Sequence, residues 1–229
     1  MKKVYLYPLW LRIWHVINAL CFLVLIVSGI SLHFSDTSPF LLSFDTARLS
    51  HNTAGILLSV NFAYYTLFNI ISGNWKYYIP NVLEYFPRSV KQVRYYLIGI
   101  FRGEPHPFGP GDNIKFNPLQ QIAYLFVIFV MVPIVIFTGL MLMFPELSPG
   151  EILGMGGVWP MAILHIIIGF FLSLFMFSHI YLSTTGHTLF SNFKSILNGW
   201  HELHDSQEMI DNAAKEANDN PDEEIEDVD

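Results

Sequence analysis

The sequence predicts an all-α membrane protein, a bundle of four transmembrane helices with both termini in the cytoplasm. Three observations predict it. Apolar residues make up 52% of the 229 and gather in four runs, at about 10–33, 51–72, 118–144 and 159–183. Each run reaches the roughly 20 residues that a helix needs to cross a bilayer, and lipid admits only backbones that satisfy their own hydrogen bonds. Eleven of the 12 Lys and Arg residues then fall on one side of those runs, with Arg48 alone on the other. An excess of basic residues marks the cytoplasmic side.

The elements follow in order. The first run is longer than a signal peptide and has no small-residue cleavage site, so it reads as a retained span. Lys2, Lys3 and Arg12 lie before or at its start. Lys76, Arg88, Lys91, Arg94, Arg102 and Lys115 lie between the second and third spans, and Lys194 and Lys215 after the fourth. The outer connections, about 34–50 and 145–158, are too short to hold a catalytic domain, so any large partner is another chain. Between spans two and three, NVLEYFPRSVKQVRYYLIGIF mixes aromatic with basic residues, as a helix lying along the membrane surface does. GEPHPFGPGDN is a Gly/Pro loop leading into span three. After span four, TLFSNFKSILNGWHELH reads as a short amphipathic helix on the inner surface. Residues 1–204 form one domain. The tail 205–229 carries eleven acidic residues and one Lys, the composition of a disordered segment. No internal repeat is evident. The single Cys21 sits in the first span; it excludes an intrachain disulfide and CxxC chemistry.

The residues that do not belong in lipid are histidines. Ionisable side chains inside spans are rare and mark function, and four of the nine histidines are placed there: His15, His51, His165 and His179. In HIIIGFFLSLFMFSH the two imidazoles of span four lie fourteen residues apart. That separation rises about 21 Å and comes within about 40° of four full turns, so both project from nearly one stripe, one near each membrane face. Span one runs outward from His15, and span two returns from His51. The topology thus gives an inner pair, His15 with His179, and an outer pair, His51 with His165. Two imidazole pairs at two depths suit bis-histidine ligation of two b haems. Gly29 lies fourteen residues after His15, Gly55 and Gly169 follow the outer histidines by four, and Gly139 lies toward the outer end of span three. These are side-chain-free patches for a flat macrocycle or for close helix packing. Arg12 and Arg48 each precede a histidine by three residues, on the same face and one turn nearer water. Both can meet haem propionates, and Arg12 equally serves as a cytoplasmic anchor.

Other chemistry fits less well. Zinc or copper would have two nitrogens at each depth and no acid or thiolate to complete a tetrahedral site. A proton channel or transporter relaying through neutral imidazoles is the stronger rival, yet between His165 and His179 the polar residues are only Ser173 and, next to His179 itself, Ser178. A purely structural anchor needs no array of four histidines. His33, His106, His201 and His204 read as interfacial or solvent histidines, while His187 lies just beyond the inner pair, where it can exchange protons with a quinone.

Taken together, RIWHVINALCFLVLIVSG, HNTAG, FNPLQQIAY and LHIIIGFFLSLFMFSHIYLSTTGHT resemble the dihaem cytochrome b subunits of membrane-bound formate dehydrogenase, nickel–iron hydrogenase and thiosulfate reductase. HIYLSTTGHT is most similar to the last of these. The resemblance covers residues 8 to 200. It implies haem iron ligated by His15 with His179 at the cytoplasmic side and by His51 with His165 at the periplasmic side. It implies a quinone site by the inner haem, where Asn117 and Gln120 stand at the family's N-x-x-Q segment; Leu119 and Gln121 depart from the Gly and Lys often found there. The function expected is electron transfer between the quinone pool and a periplasmic-side redox partner, an iron–sulfur or multihaem cytochrome c protein. The chain is then an electron-transfer subunit of a respiratory complex in the cytoplasmic membrane rather than a stand-alone enzyme, with no role for nucleic acid.

Overall fold

The computed structural model describes residues 3–35, 41–80, 82–104, 107–108, 115–152, 154–185 and 188–202. His106, His187, His204 and the acidic tail lie outside the described residues. The fold is all-α, and four of its helices are long and apolar enough to cross a membrane: α1 (Leu9–His33), α2 (Phe44–Ile71), α4 (Pro118–Met143) and α5 (Val158–Ser183).

Local chemistry sets where each helix begins. Pro8, in extended backbone, precedes α1. Helix α2 starts seven residues before the expected span. Ser43 caps it by accepting from the Thr46 N–H, and Asp45 occupies the first turn, where an acid complements the helix dipole. The outer connection is correspondingly shorter than 34–50. Hydropathy marks where a helix meets lipid, whereas a cap marks where it starts. Helix α4 contains a π-helical turn at Val127–Met131 just before Pro133. Proline lacks the N–H that the preceding turn's carbonyl needs, and a wider turn accommodates that loss.

Helix α1 packs along α2, the second half of α4 packs along α5, and the two hairpins meet through α2 and α4. Small and polar residues line the α1–α2 seam: Ser28, Ser31, Ala47 and Ala54 are all buried. Asn61 in α2 donates to the Trp14 carbonyl of α1 at 3.1 Å. In lipid, close approach and interhelical hydrogen bonds hold helices together, because the tails are as apolar as the side chains. An aromatic cluster around Trp14, Tyr65 and Tyr78 fills one end of the bundle. An apolar cluster around Val127, Met131, Val132 and Leu172 fills the middle.

The amphipathic helix α3 (Val82–Leu97) follows span two. The segment after span four differs from expectation: α6 (Ser191–Asn198) stops at Gly199, whose φ of +88° favours glycine. Trp200–Glu202 then forms a strand pairing antiparallel with β1 (Lys3–Tyr5), with Tyr5 opposite Trp200. Tyr5 and Trp200 rings pack at 5.2 Å, and the Leu6 and Tyr7 N–H groups donate to the Gly199 carbonyl. Both terminal segments therefore meet at the end of the bundle that holds His15. Amphipathic periodicity over 188–204 does not reveal this strand, because its partner lies at the opposite end of the chain. In the connection between α4 and α5, β2 (Glu151–Ile152) pairs with β3 (Met155–Gly156). With β1 and β3 so numbered, the strand Trp200–Glu202 is β4.

Candidate functional site

The fold brings the four intramembrane histidines into two facing pairs. His15 of α1 meets His179 of α5 with ring centres 6.1 Å apart and planes inclined at 55°. His51 of α2 meets His165 of α5 at 6.1 Å and 71°. Along α5 the pairs are separated by about 21 Å of helical rise. The spacing has a simple reading: two metal–imidazole bonds of about 2 Å each, plus the distance from nitrogen to ring centre on both sides, total roughly 6 Å. Among the described residues no cluster of three or more His, Cys, Asp or Glu side chains can hold a metal ion, so each pair offers two nitrogens on opposite sides.

Hydroxyls hold the His51–His165 pair. Ser28 Oγ of α1 lies 3.0 Å from His51 Nδ1, and Thr138 Oγ1 of α4 lies 3.0 Å from His165 Nδ1. Each hydroxyl donates its own proton back along its helix, Ser28 to the Val24 carbonyl at 2.6 Å and Thr138 to the Ile134 carbonyl at 2.8 Å. A hydroxyl so committed has only lone pairs left, so each Nδ1 is the donor and carries the hydrogen. That tautomer leaves Nε2 free to bind a metal, the usual arrangement for a ligating histidine. The next residue in each helix is glycine. A Cβ on Gly29 would lie 3.4 Å from His51 Cε1, and one on Gly139 would lie 3.0 Å from His165 Cε1. Gly139 therefore gives the His165 ring its close approach, and Gly29 lies beside the His51 ring at ordinary contact distance. Gly55 and Gly169 have open space where a Cβ would stand, one turn beyond His51 and His165.

The other pair is held by aromatic rings. Phe175 stacks on His179 at 5.9 Å and 14°, and Tyr124 OH lies 3.5 Å from His179 Nδ1. Trp14, beside His15, stacks on Tyr65 at 4.1 Å. Arg12, one turn below His15, has a buried Nε without a hydrogen-bond partner. Arg48 is exposed and pairs loosely with Asp45 at 4.0 Å, a contact worth little in water.

Asn117 and Gln120 occupy each other. Asn117 Oδ1 accepts from the Gln120 N–H at 2.9 Å, and Gln120 Oε1 accepts from the Asn117 N–H at 3.1 Å, a capping box that opens α4. Asn117 Nδ2 donates to Tyr96 OH at 3.0 Å. The N-x-x-Q spacing thus has a structural role that the sequence reading did not assign. Asn117→Ala is expected to cost about 1 kcal/mol of stability, with Asn117→Asp recovering most of it, as read by thermal unfolding in detergent. An unchanged midpoint for Asn117→Ala would show that the box contributes nothing.

The sequence reading missed Ser28, Thr138 and Tyr124. A signal was present: a hydroxyl residue immediately precedes each of the two glycines Gly29 and Gly139 at the depth of the outer histidines.

A family model for prokaryotic cytochrome b561 matches residues 6–199. The chain belongs to the prokaryotic cytochrome b561 family. It is a multi-pass protein of the bacterial inner membrane, and membership assigns it haem of b type. It is 36% identical over 200 residues to the candidate cytochrome YdhU of Escherichia coli (strain K12), covering 87% of this chain and 75% of that protein. It is 30% identical over 154 residues to YedZ1 of Azospira oryzae, named as a candidate protein-methionine-sulfoxide reductase subunit, covering 62% of this chain and 71% of that one. No solved structure matches the chain.

Proposed function

We propose that this cytochrome holds two b haems and transfers electrons between quinone at its cytoplasmic end and a redox partner docked at its periplasmic end. The observation that carries the reading is the pair of facing imidazoles at each end of one helix, both at 6.1 Å. His15 and His179 hold the inner haem, and His51 and His165 the outer one. When bound, haem supplies reversible one-electron chemistry at iron, and the protein contributes ligation, orientation and electrostatics.

Each residue then has a defined task. The Nδ1–H tautomer at His51 and His165 would present Nε2 to a haem iron, and Gly55 and Gly169 would leave room beside it. Arg12, with its buried and unpartnered Nε, suits a propionate of the inner haem. Arg48, exposed one turn above His51, suits one of the outer haem. At the inner end, Lys115 is half-buried and donates to Asn74 Oδ1, and Asn74 donates to Asn69 Oδ1, both at 2.9 Å. Burial pushes the Lys115 ammonium below its ordinary range, which makes it a readier proton donor for quinone chemistry there, alongside His187. Asn117 and Gln120 shape the same mouth through the cap they build.

Basic residues concentrate at the end where the chain's terminal segments pair, and this supports cytoplasmic termini. A partner subunit outside the membrane is supported by the short connections at the other end and by the subunit designation of the Azospira oryzae relative. A proton relay between the pairs is disfavoured by what separates them: Val127, Met131, Val132 and Leu172, with Phe22 and Phe62 against them. Ser173, the hydroxyl midway between His165 and His179, bonds to its own helix at the Gly169 carbonyl.

The test is cofactor content. Purified protein should contain two non-covalent b haems per chain by pyridine haemochrome assay, both extractable with acidified acetone. One haem or none ends this reading.

A further inference from the structure

The outer pair is built twice over by the same local device. In the α1–α2 hairpin, the first helix contributes a buried hydroxyl and a following glycine, Ser28–Gly29, to the imidazole of the second, His51. In the α4–α5 hairpin, Thr138–Gly139 does the same for His165. Neither hydroxyl is exposed to solvent (0% for both), and both sit 3.0 Å from Nδ1. The glycine leaves the ring its room, and the hydroxyl, together with a backbone carbonyl of the same helical turn (Leu25 for His51, Val135 for His165), fixes which nitrogen carries the hydrogen. The chain carries no sequence repeat that would make this duplication automatic. The inner pair is different: its side-chain hydrogen bond among the described residues is Tyr124 to His179, at 3.5 Å.

We infer that Ser28 and Thr138 are positioning residues that lock both outer imidazoles in the Nδ1–H tautomer and thereby lower the reduction potential of the outer haem. The inference rests on the two-haem reading above. An acceptor on Nδ1–H raises the basicity of Nε2, and a more basic axial ligand favours the ferric over the ferrous state. Because both imidazoles are treated alike, the two effects act in one direction on one iron. The inner haem, whose ligands are packed by Phe175 and Trp14 and meet one hydroxyl at the longer 3.5 Å, does not receive this double bias. The device therefore sets the outer haem's potential independently of the inner one, below the value it would have without the two hydroxyls.

The test is a potentiometric titration of purified holoprotein, following the visible α-band and the low-spin EPR signals of both haems. Ser28→Ala and Thr138→Val should each keep two haems. Each should move the outer midpoint to more positive values, and the double variant should move it further. The inner midpoint should stay fixed. Ser28→Thr and Thr138→Ser should restore the wild-type value. An unmoved outer midpoint with both haems bound overturns the inference, as does an equal shift at both haems, which would report a general loosening of the bundle. Loss of the outer haem from either single variant overturns it too, because a positioning hydroxyl, unlike a ligand, leaves the haem in place. Finding fewer than two haems in the wild-type protein would instead defeat the underlying reading.

Discussion

His165→Ala and His51→Ala are each expected to remove the same spectral component, and His179→Ala and His15→Ala the other. Each variant should retain about half of the haem. The reason is that b haem is held by axial nitrogens and pocket packing, with no thioether bond to retain it. The surviving site lies about 21 Å away along the same helix. The Thr138 and Ser28 contacts sharpen the expectation. When His165 is truncated, Thr138 keeps its bond to the Ile134 carbonyl at 2.8 Å, so no buried hydroxyl is orphaned and the helix hairpin survives. The consequences for turnover also separate. Outer-pair variants should still accept electrons from quinol at the inner site and fail to pass them to an outer partner, whereas inner-pair variants should fail at quinol. A grouping of His15 with His51, and of His165 with His179, would overturn the pairing.

The second large effect is expected at Gly139. An added Cβ would stand 3.0 Å from His165 Cε1, closer than ordinary van der Waals contact. Replacing a helical glycine by alanine otherwise favours the helix by about 1 kcal/mol, so helix propensity and ring position oppose each other here. Gly139→Ala should displace the imidazole by a few tenths of an ångström and weaken the outer haem. Gly139→Leu should expel the ring and reduce haem content to one per chain. Gly29→Ala is the control, since its Cβ would lie at an ordinary 3.4 Å from His51 Cε1 and should leave both haems bound. The haem-to-protein ratio measures all three. Full haem content in Gly139→Leu would show that the close approach of Gly139 to His165 is unimportant.

Both expectations depend on features that differ in how far the sequence revealed them. The bundle was legible because crossing lipid demands long apolar runs and a closed set of backbone hydrogen bonds. The pairing was legible because four histidines in lipid are costly and helical rise converts their sequence positions into depths. The spacing of His165 and His179 on one stripe needed only the 3.6-residue period. Helix starts were less legible. The α2 boundary moved outward because Ser43, not hydropathy, ends the connection. The π turn before Pro133 came from a local conflict between proline and the helix ladder.

What the sequence by itself determined is the class of protein, the number and depth of its spans, and which histidines share a level. Each of these follows from periodicity and from the cost of polar groups in lipid, both properties of single segments. The tertiary structure alone decided which side chains surround the imidazoles. Ser28 and Thr138 lie 23 and 27 residues from the histidines they hold. Which hydroxyl meets which ring depends on the rotation of each helix about its axis, and packing against a neighbour sets that rotation. The same is true of Gly139, which admits the His165 ring, and of Asn117 and Gln120, whose side chains are turned on each other. It is true again of the strand pairing that joins Lys3–Tyr5 to Trp200–Glu202. Contacts between distant segments leave no period in either segment, so only the folded chain displays them.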